Sequence, residues 1–414
     1  MKKPAPAGTK DAAALTAARS LPKGWRWVRL GQVCEVIAGQ SPPGDTYRKT
    51  AEGLPFFQGK ADFGPRHPVA RTWCVAPTKV ALPGDILISV RAPVGPTNVA
   101  NVKCCIGRGL AAIRCGSQSD PDFVLAALRL FENDLAKLGS GSTFSAIKRE
   151  DLESLRIPLP PLSEQKRIAA ILKEQLAAVD KARAAAQARL EAVKTLPAAF
   201  LRQVFPQPGQ PLPSGWRWVS LGEVCDGPGQ YGTSMKSNGE QRGVPVLGMY
   251  HIHEGRIRWE NVSYVDLQAA ELPKYLLCRG DLLFNRTNSA ELVGKTAVYD
   301  DDAPAVFASY LIRFRLVRGT AGSHFVSAYI NSREGRSFIE KNMARAIGQV
   351  NISASTMRSM PLPLPPLPEQ RRITAMLRVQ MAAGDKARAA AEKELVTVNT
   401  LPAALLRRAF KGEL

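Results

Sequence analysis

Two phrases in this chain are each written twice. LPKGWRWVRLGQVC at Leu21–Cys34 returns as LPSGWRWVSLGEVC at Leu212–Cys225, 191 residues later, and IPLPPLSEQKRI at Ile157–Ile168 returns as LPLPPLPEQRRI at Leu362–Ile373, 205 residues later. An internal repeat constrains the fold before any local pattern is read, because both copies must close into one common framework. The offset then stays at 205: Asp180-Lys181-Ala182-Arg183 recurs as Asp385-Lys386-Ala387-Arg388, and Thr195–Phe205 as Thr400–Phe410. The segment after the prolines tolerates no insertion, whereas the stretch before them varies in both length and letters.

The invariant segment reads as a helix. Ile168, Leu172, Leu176, Val179, Ala186, Leu190 and Val193 recur at helical spacing, as do Ile373, Leu377, Met381, Ala391, Leu395 and Val398, with Gly384 in the place of Val179. The narrow apolar seam flanked by charge is that of a coiled coil. Pro158, Pro160 and Pro161 favour an extended lead-in, Ser163 is the expected helix cap, and Pro368 suits a first turn. The variable parts read as mixed α/β: GDILISVRAP (Gly84–Pro93), GDLLFNRTNS (Gly280–Ser289), GRGLAAIRC (Gly107–Cys115) and FASYLIRFRL (Phe307–Leu316) are strand segments. Trp25, Trp27, Trp216 and Trp218 alternate on short strands and are assigned to core packing.

The expected organisation is a disordered tail at 1–20, a globule at 21–156, a proline lead-in and long helix at 157–211, a second globule at 212–360, and a second lead-in and helix at 361–414. The fold class is mixed α/β: two globular α/β domains separated by two long antiparallel coiled-coil helices, with a pseudo-twofold internal repeat. A helix of about 33 residues is roughly 50 Å long, on the order of 14 base pairs of duplex.

Charge supplies the partner. Lys and Arg number 56 against 36 Asp and Glu, a net charge of +20 at a sequence pI near 9.9, which favours a polyanion. Double-stranded DNA is preferred over a membrane, since no apolar run approaches the roughly 18 residues needed to span one. Seven cysteines without a C-x-x-C read as buried thiols of a reducing cytoplasm.

Catalytic patterns fail one by one. Ser289–Thr296 ends like a phosphate-binding loop, G-K-T, but has Ser289 where the first glycine belongs and bulky residues within. Gly139-Ser140-Gly141-Ser142-Thr143 is an incomplete dinucleotide motif, and His251 and His253 lack further ligands among only four histidines. Ser41-Pro42-Pro43-Gly44 lacks the amide and the aromatic of an adenine methyltransferase tetrapeptide. No catalytic, metal or cofactor residue is assigned. Arg suits guanine, and Asn or Gln suits adenine, in the major groove. The candidate DNA contacts are therefore Gln40, Ser41, Tyr47, Lys60, Arg66, Arg91 and Arg108 in the first globule, and Gln230, Tyr231, Thr233, Lys236, Arg286, Asn288 and Lys295 in the second.

The paired tryptophan starts, GDILISVRAPVG, CCIGRGLAAIR, GDLLFNRTNSAELVGKTAVY, both PLPPL-x-EQ-(K/R)-RI phrases and the closing AFKGEL together resemble the specificity subunit of type I restriction-modification systems, from Leu21 to Leu414. The resemblance implies that each globule is a target recognition domain reading half of a bipartite, asymmetric DNA site. It implies two methyltransferase (modification) subunits and motor-nuclease (restriction) subunits as partners, with S-adenosylmethionine, ATP and Mg carried by those subunits. It also implies a partner contact near Glu164, Gln165, Arg167, Glu369, Gln370 and Arg372, whose local alternative is helix capping. The competing readings are a self-sufficient DNA methyltransferase or nuclease, separated by turnover without partners, and a non-specific basic coiled-coil scaffold, separated by the absence of a consensus.

Overall fold

The computed structural model describes residues 21–139, 146–206, 210–289, 292–346 and 349–414. The expected tail at 1–20 and most of the 139–143 glycine motif lie outside the described residues. The chain divides into two compact units: unit 1 comprises residues up to Ala186 together with Glu394–Leu414, and unit 2 comprises Gln187–Lys393.

In unit 1, β1 (Arg26–Arg29) pairs antiparallel with β8 (Arg156–Leu159), setting Trp27 opposite Pro158. The two repeated phrases therefore meet each other: the first opens the globule and the second closes it. Proline is tolerated because a two-stranded ribbon consists only of edges, where a missing N–H costs little. The main sheet is antiparallel in the order β2 (Cys34–Ala38), β7 (Leu110–Cys115), β4 (Ile86–Ser89), β5 (Thr97–Val99). A second sheet contains the parallel pair β3 (Leu54–Phe57) and β6 (Cys104–Ile106). Strand alternation divides the core between two faces. Ile86 and Ile88 pack toward α1 (Pro121–Leu130), while Leu87 and Ala112 pack with Phe57 and Ile106.

Unit 2 repeats this plan. β9 (Arg217–Ser220) pairs with β16 (Pro361–Leu364), Trp218 opposite Pro363. The main sheet runs β10 (Gln230–Tyr231), β15 (Leu311–Phe314), β12 (Asp281–Asn285), β13 (Thr296–Tyr299). β11 (Val244–Leu247) lies parallel to β14 (Val306–Phe307). The same buried anchor begins the third strand of each main sheet: Asp85 accepts from Leu82 N–H and from Arg114, and Asp281 from Cys278 N–H and Arg315. Those forks raise the pKa of both guanidinium groups.

Helix α2 (Leu162–Lys194) starts in unit 1 and is followed by α3 (Leu196–Val204), which packs in unit 2. α4 (Ser323–Ile330) backs the sheet of unit 2, and α5 (Leu367–Ala409) starts there and ends in unit 1. Within unit 1 the helices run antiparallel, since Arg167 donates to Leu414 O at 2.7 Å and Arg183 to Asn399 at 2.9 Å. Each unit is completed by the helix end that follows the other globule in sequence. Phe410 joins Trp25 and Phe123 in unit 1, as Phe205 joins Trp216 and Phe325 in unit 2.

Three expectations are corrected. Ser163 is not the cap: α2 begins at Leu162, Pro161 O accepts from Glu164 and Gln165 N–H, and Ser163 is exposed in the first turn. Trp218 is half exposed, whereas Trp25, Trp27 and Trp216 pack against their cores. Cys278 is exposed; of the other six thiols five are buried and Cys115 is half-buried, and all seven are free.

Candidate nucleic-acid interface

In each unit the loops that leave the parallel strand pair gather at one edge through matching backbone bonds. In unit 1, Gln40 N–H donates to Ile106 O, Gly107 N–H to Phe57 O, Val90 N–H to Gly109 O and Ile147 N–H to Val90 O, at 2.8–3.0 Å. In unit 2 the same four bonds run from Thr233 to Phe307, Ala308 to Leu247, Arg286 to Tyr310 and Ile352 to Arg286, at 2.9–3.0 Å. A glycine opens the first loop of each edge because the chain passes too close for a side chain. A Cβ on Gly39 would stand 2.2 Å from Gly107 O, and one on Gly232 2.2 Å from Phe307 O. These bonds equate Gln40 with Thr233, Val90 with Arg286, Arg108 with Ser309 and Gly109 with Tyr310. Lys60 and Tyr250 each stand three residues beyond the parallel strand ends Phe57 and Leu247.

The unit 1 edge brings together Gln40, Ser41, Lys60, Arg91 and Arg108. Gln40, Lys60, Arg91 and Arg108 are exposed, and Ser41 Oγ accepts from Arg108 N–H at 3.4 Å. Tyr47 is tied below it, its hydroxyl donating to Pro42 O at 2.9 Å and its ring on Phe56. Arg66 lies elsewhere, paired at 3.0 Å with Asp122 in the first turn of α1.

In unit 2, Arg286 sits 4.9 Å above the Tyr231 ring, and Tyr231 Oη accepts from Ala354 N–H at 3.1 Å. Arg286 Nε is buried with no hydrogen-bond partner. Thr233 is turned inward, its hydroxyl accepting from Met235 N–H, and Gln230 donates to Tyr231 O. Lys236 is exposed in the following loop, and Lys295 is half-buried, its carbonyl accepting from Asn285 N–H. Asn288 lies in the strand Thr287–Asn288, but its side chain is outside the described residues. The 289–296 motif forms a turn at 292–294, with 290–291 outside the described residues. His251 Nδ1 accepts from Gly248 N–H at 2.8 Å, and among the described residues no cluster of His, Cys, Asp or Glu can hold a metal. Tyr250, Ser309 and Tyr310 also stand at this edge, although their residue types did not single them out in the sequence. The repeat carried the signal, because LPFFQGK (Leu54–Lys60) aligns with VPVLGMY (Val244–Tyr250).

The PLPPL-x-EQ phrase resolves into two functions. Gln165 is fully buried: Oε1 accepts from Asp120 N–H at 2.8 Å, and Nε2 donates to Gln118 O and Pro160 O at 3.0 and 2.9 Å. Gln370 does the same with Gly322 N–H and Pro365 O, both at 2.8 Å. Each amide clasps the start of a long helix to the N-cap of the globule's own helix, Asp120 of α1 or Gly322 of α4. Buried and fully engaged, these two side chains offer no surface to a partner. Glu164–Arg167 and Glu369–Arg372 are outward bidentate pairs at 2.7–2.8 Å, and the arginine bonds hold both carboxyls below the usual range.

A duplicated scaffold presenting the same edge twice, with different side chains each time, defines a tandem recognition protein. The type I restriction modification DNA specificity domain matches residues 22–191 and again 213–382, and the chain belongs to that family. It is 25% identical over 433 residues to the StySPI type I restriction enzyme specificity subunit of Salmonella potsdam, covering 95% of this chain and 90% of that one. It is 27% identical over 299 residues to the EcoKI specificity subunit of Escherichia coli K12, covering 69% and 63%. A 156-residue segment is 49% identical to the putative MjaX specificity subunit of Methanocaldococcus jannaschii, covering 37% of each chain. Among solved structures, a chain from a study of complex assembly and conformational transition of the type I R-M system matches with a TM-score of 0.78 at 26% identity, covering 96% of this chain and all of that one. The HsdS subunit of Thermoanaerobacter tengcongensis matches with a TM-score of 0.63 at 25% identity, covering 96% and 99%.

Proposed function

We propose that this chain is the DNA specificity subunit of a type I restriction-modification complex, reading a bipartite target whose halves differ. One observation carries the reading: the four backbone bonds that build the unit 1 edge recur in unit 2, while the residues at the equivalent positions change from Gln, Val, Arg and Gly to Thr, Arg, Ser and Tyr. Keeping the frame and varying the readout is what two different half-sites require, because phosphate contacts fix register while side chains on base edges set sequence. Gln40, Ser41, Lys60, Arg91 and Arg108 serve the first half-site; Tyr231, Lys236, Arg286, Asn288 and Lys295 serve the second.

The chain has no catalytic step of its own in this reading. Methyltransferase subunits bring S-adenosylmethionine, motor-nuclease subunits bring ATP and Mg, and the assembly works in the cytoplasm. Among the described residues no helix is long and apolar enough to cross a membrane. The outward Glu164–Arg167 and Glu369–Arg372 pairs are the contacts offered to the methyltransferase subunits, and the Gln clasps orient the helices beneath them. The test is selection from random duplexes by the chain assembled with its methyltransferase subunits, followed by methylation mapping. A split consensus with unequal halves, methylated only in the complex, is expected. A single word, no consensus, or methylation by the isolated chain refutes the proposal.

A further inference from the structure

The edge of unit 2 adds exposed aromatic rings to its cations Lys236, Arg286 and Lys295, whereas that of unit 1 presents Lys60, Arg91 and Arg108 without an equally exposed ring. Tyr250 is 82% exposed, Tyr310 48% and Tyr231 37%. Their framework neighbours join them at one edge: Ala308 N–H bonds Leu247 O beneath the Tyr250 turn, Ser309 N–H bonds Thr233 O, and Arg286 N–H bonds Tyr310 O. The positions of Tyr250 and Tyr310 are held in unit 1 by Lys60 and Gly109, and Arg108 stands where unit 2 has Ser309.

The Tyr250 turn is built rigidly. It is a 3-10 turn, Met249–His251, closed by Gly248 N–H on His251 Nδ1 at 2.8 Å, by His251 N–H on Gly248 O at 3.1 Å, and by Arg258 N–H on His251 O at 2.8 Å. A phenol ring held this far into water on a pinned turn gains nothing for folding. It is preorganised to be covered by a ligand, with two torsions to freeze. The rigid turn, its place on the reading edge and the strongly basic chain around it favour a duplex as that ligand.

Resting on the function proposed above, we infer that the two edges hold DNA with a different balance of charge and ring contact. Unit 1 engages its half-site through Lys60, Arg91 and Arg108. Unit 2 depends on Tyr250 as a specificity-determining residue, its ring laid on the sugar and base surface of the groove. A cation that neutralises a phosphate releases counterions and steepens the salt dependence of binding, whereas a ring that covers sugar and base does neither. A ring fitted to one groove surface also loses its contact when the sequence changes, while a phosphate contact survives.

The experiment uses the full chain assembled with its methyltransferase subunits and two duplexes, the selected target and a scrambled one, titrated across a salt series. Tyr250→Ala is expected to weaken target binding on the order of 10–100-fold, to change scrambled binding less than about twofold, and to leave the salt slope unaltered. Lys60→Ala is expected to weaken both duplexes alike and to lower the slope by about 0.9. Tyr250→Lys should raise the slope by a similar amount while losing the target preference. Because Tyr250 is so exposed, hydrogen exchange in β12 should be unchanged in all its variants. Equal loss on both duplexes for Tyr250→Ala, a changed slope, or unaltered target binding overturns the inference. A variant complex that binds DNA normally but assembles less methyltransferase subunit assigns the ring to a protein contact and overturns it as well. A wild-type complex that fails to distinguish the two duplexes refutes the proposed function itself.

Discussion

Replacing Phe410 by alanine should destabilise unit 1 while sparing unit 2, although Phe410 lies 410 − 156 = 254 residues beyond the end of the first globule. The ring is nearly buried, 5.0 Å from Phe123 and 6.4 Å from Trp25, and Trp25 stands edge-on to Phe123 at 6.1 Å. Truncating a buried Phe costs about 3–5 kcal/mol, and the residual exposure of this one places it near about 3 kcal/mol. A domain holds about 5–15 kcal/mol in total, so unit 1 remains folded but is greatly weakened. Hydrogen exchange read by mass spectrometry is the assay. Amides of β4 and β7 that exchange only on opening of the unit should lose about 150-fold in protection, the equivalent of about 3 kcal/mol. Those of β12 and β15 should not change. Phe205→Ala should give the reciprocal result, since Phe205 packs on Phe325 at 5.5 Å and Tyr329 at 5.2 Å in unit 2. Equal loss in both units from either substitution, or no loss from both, would refute the assignment of each helix end to the globule it does not follow.

Gln165→Ala should destabilise unit 1, and Gln370→Ala unit 2, each by about 2–4 kcal/mol, because an N–H and two carbonyls lose their partner at a buried helix start; denaturant melts that barely move would show the clasps to be dispensable. Burial outweighs the neighbouring backbone groups and holds His251 below the ordinary histidine pKa. The unfolded chain therefore binds the proton first: stability is complete above about pH 6.5 and falls as pH drops toward the depressed folded pKa. Denaturant midpoints of unit 2 between pH 7.5 and 5 should show this decline, smaller in His251→Gln, and an unchanged decline in that variant would assign it elsewhere. Iodoacetamide should label exposed Cys278 first. Cys104 and Cys225, pushed up to about 12 and about 11 by burial, should react only after unfolding, and peptide mapping that finds them labelled together with Cys278 contradicts the packing.

By itself the sequence determined the duplication, the helices and the main strands, because these are periodic or repeated signals carried by neighbouring residues. The apolar seam of Ile168, Leu172, Val179 and Ala186 and the paired GDILIS and GDLLFN segments sit where their spacing puts them. The basic composition agrees with the DNA specificity family to which the chain belongs. Tertiary structure alone decided which polar groups face inward: Gln165, Gln370 and Thr233 look like surface residues in a list of letters, but are buried by partners 45, 48 and 75 residues away. It also decided that Tyr250 stands in water while Trp25 does not, and that the last turns of α5 complete the core of unit 1. Hydrophobic burial is non-directional, so an apolar stripe announces that it will be covered without naming what covers it. That choice is made by shape, once the rest of the chain has folded around it.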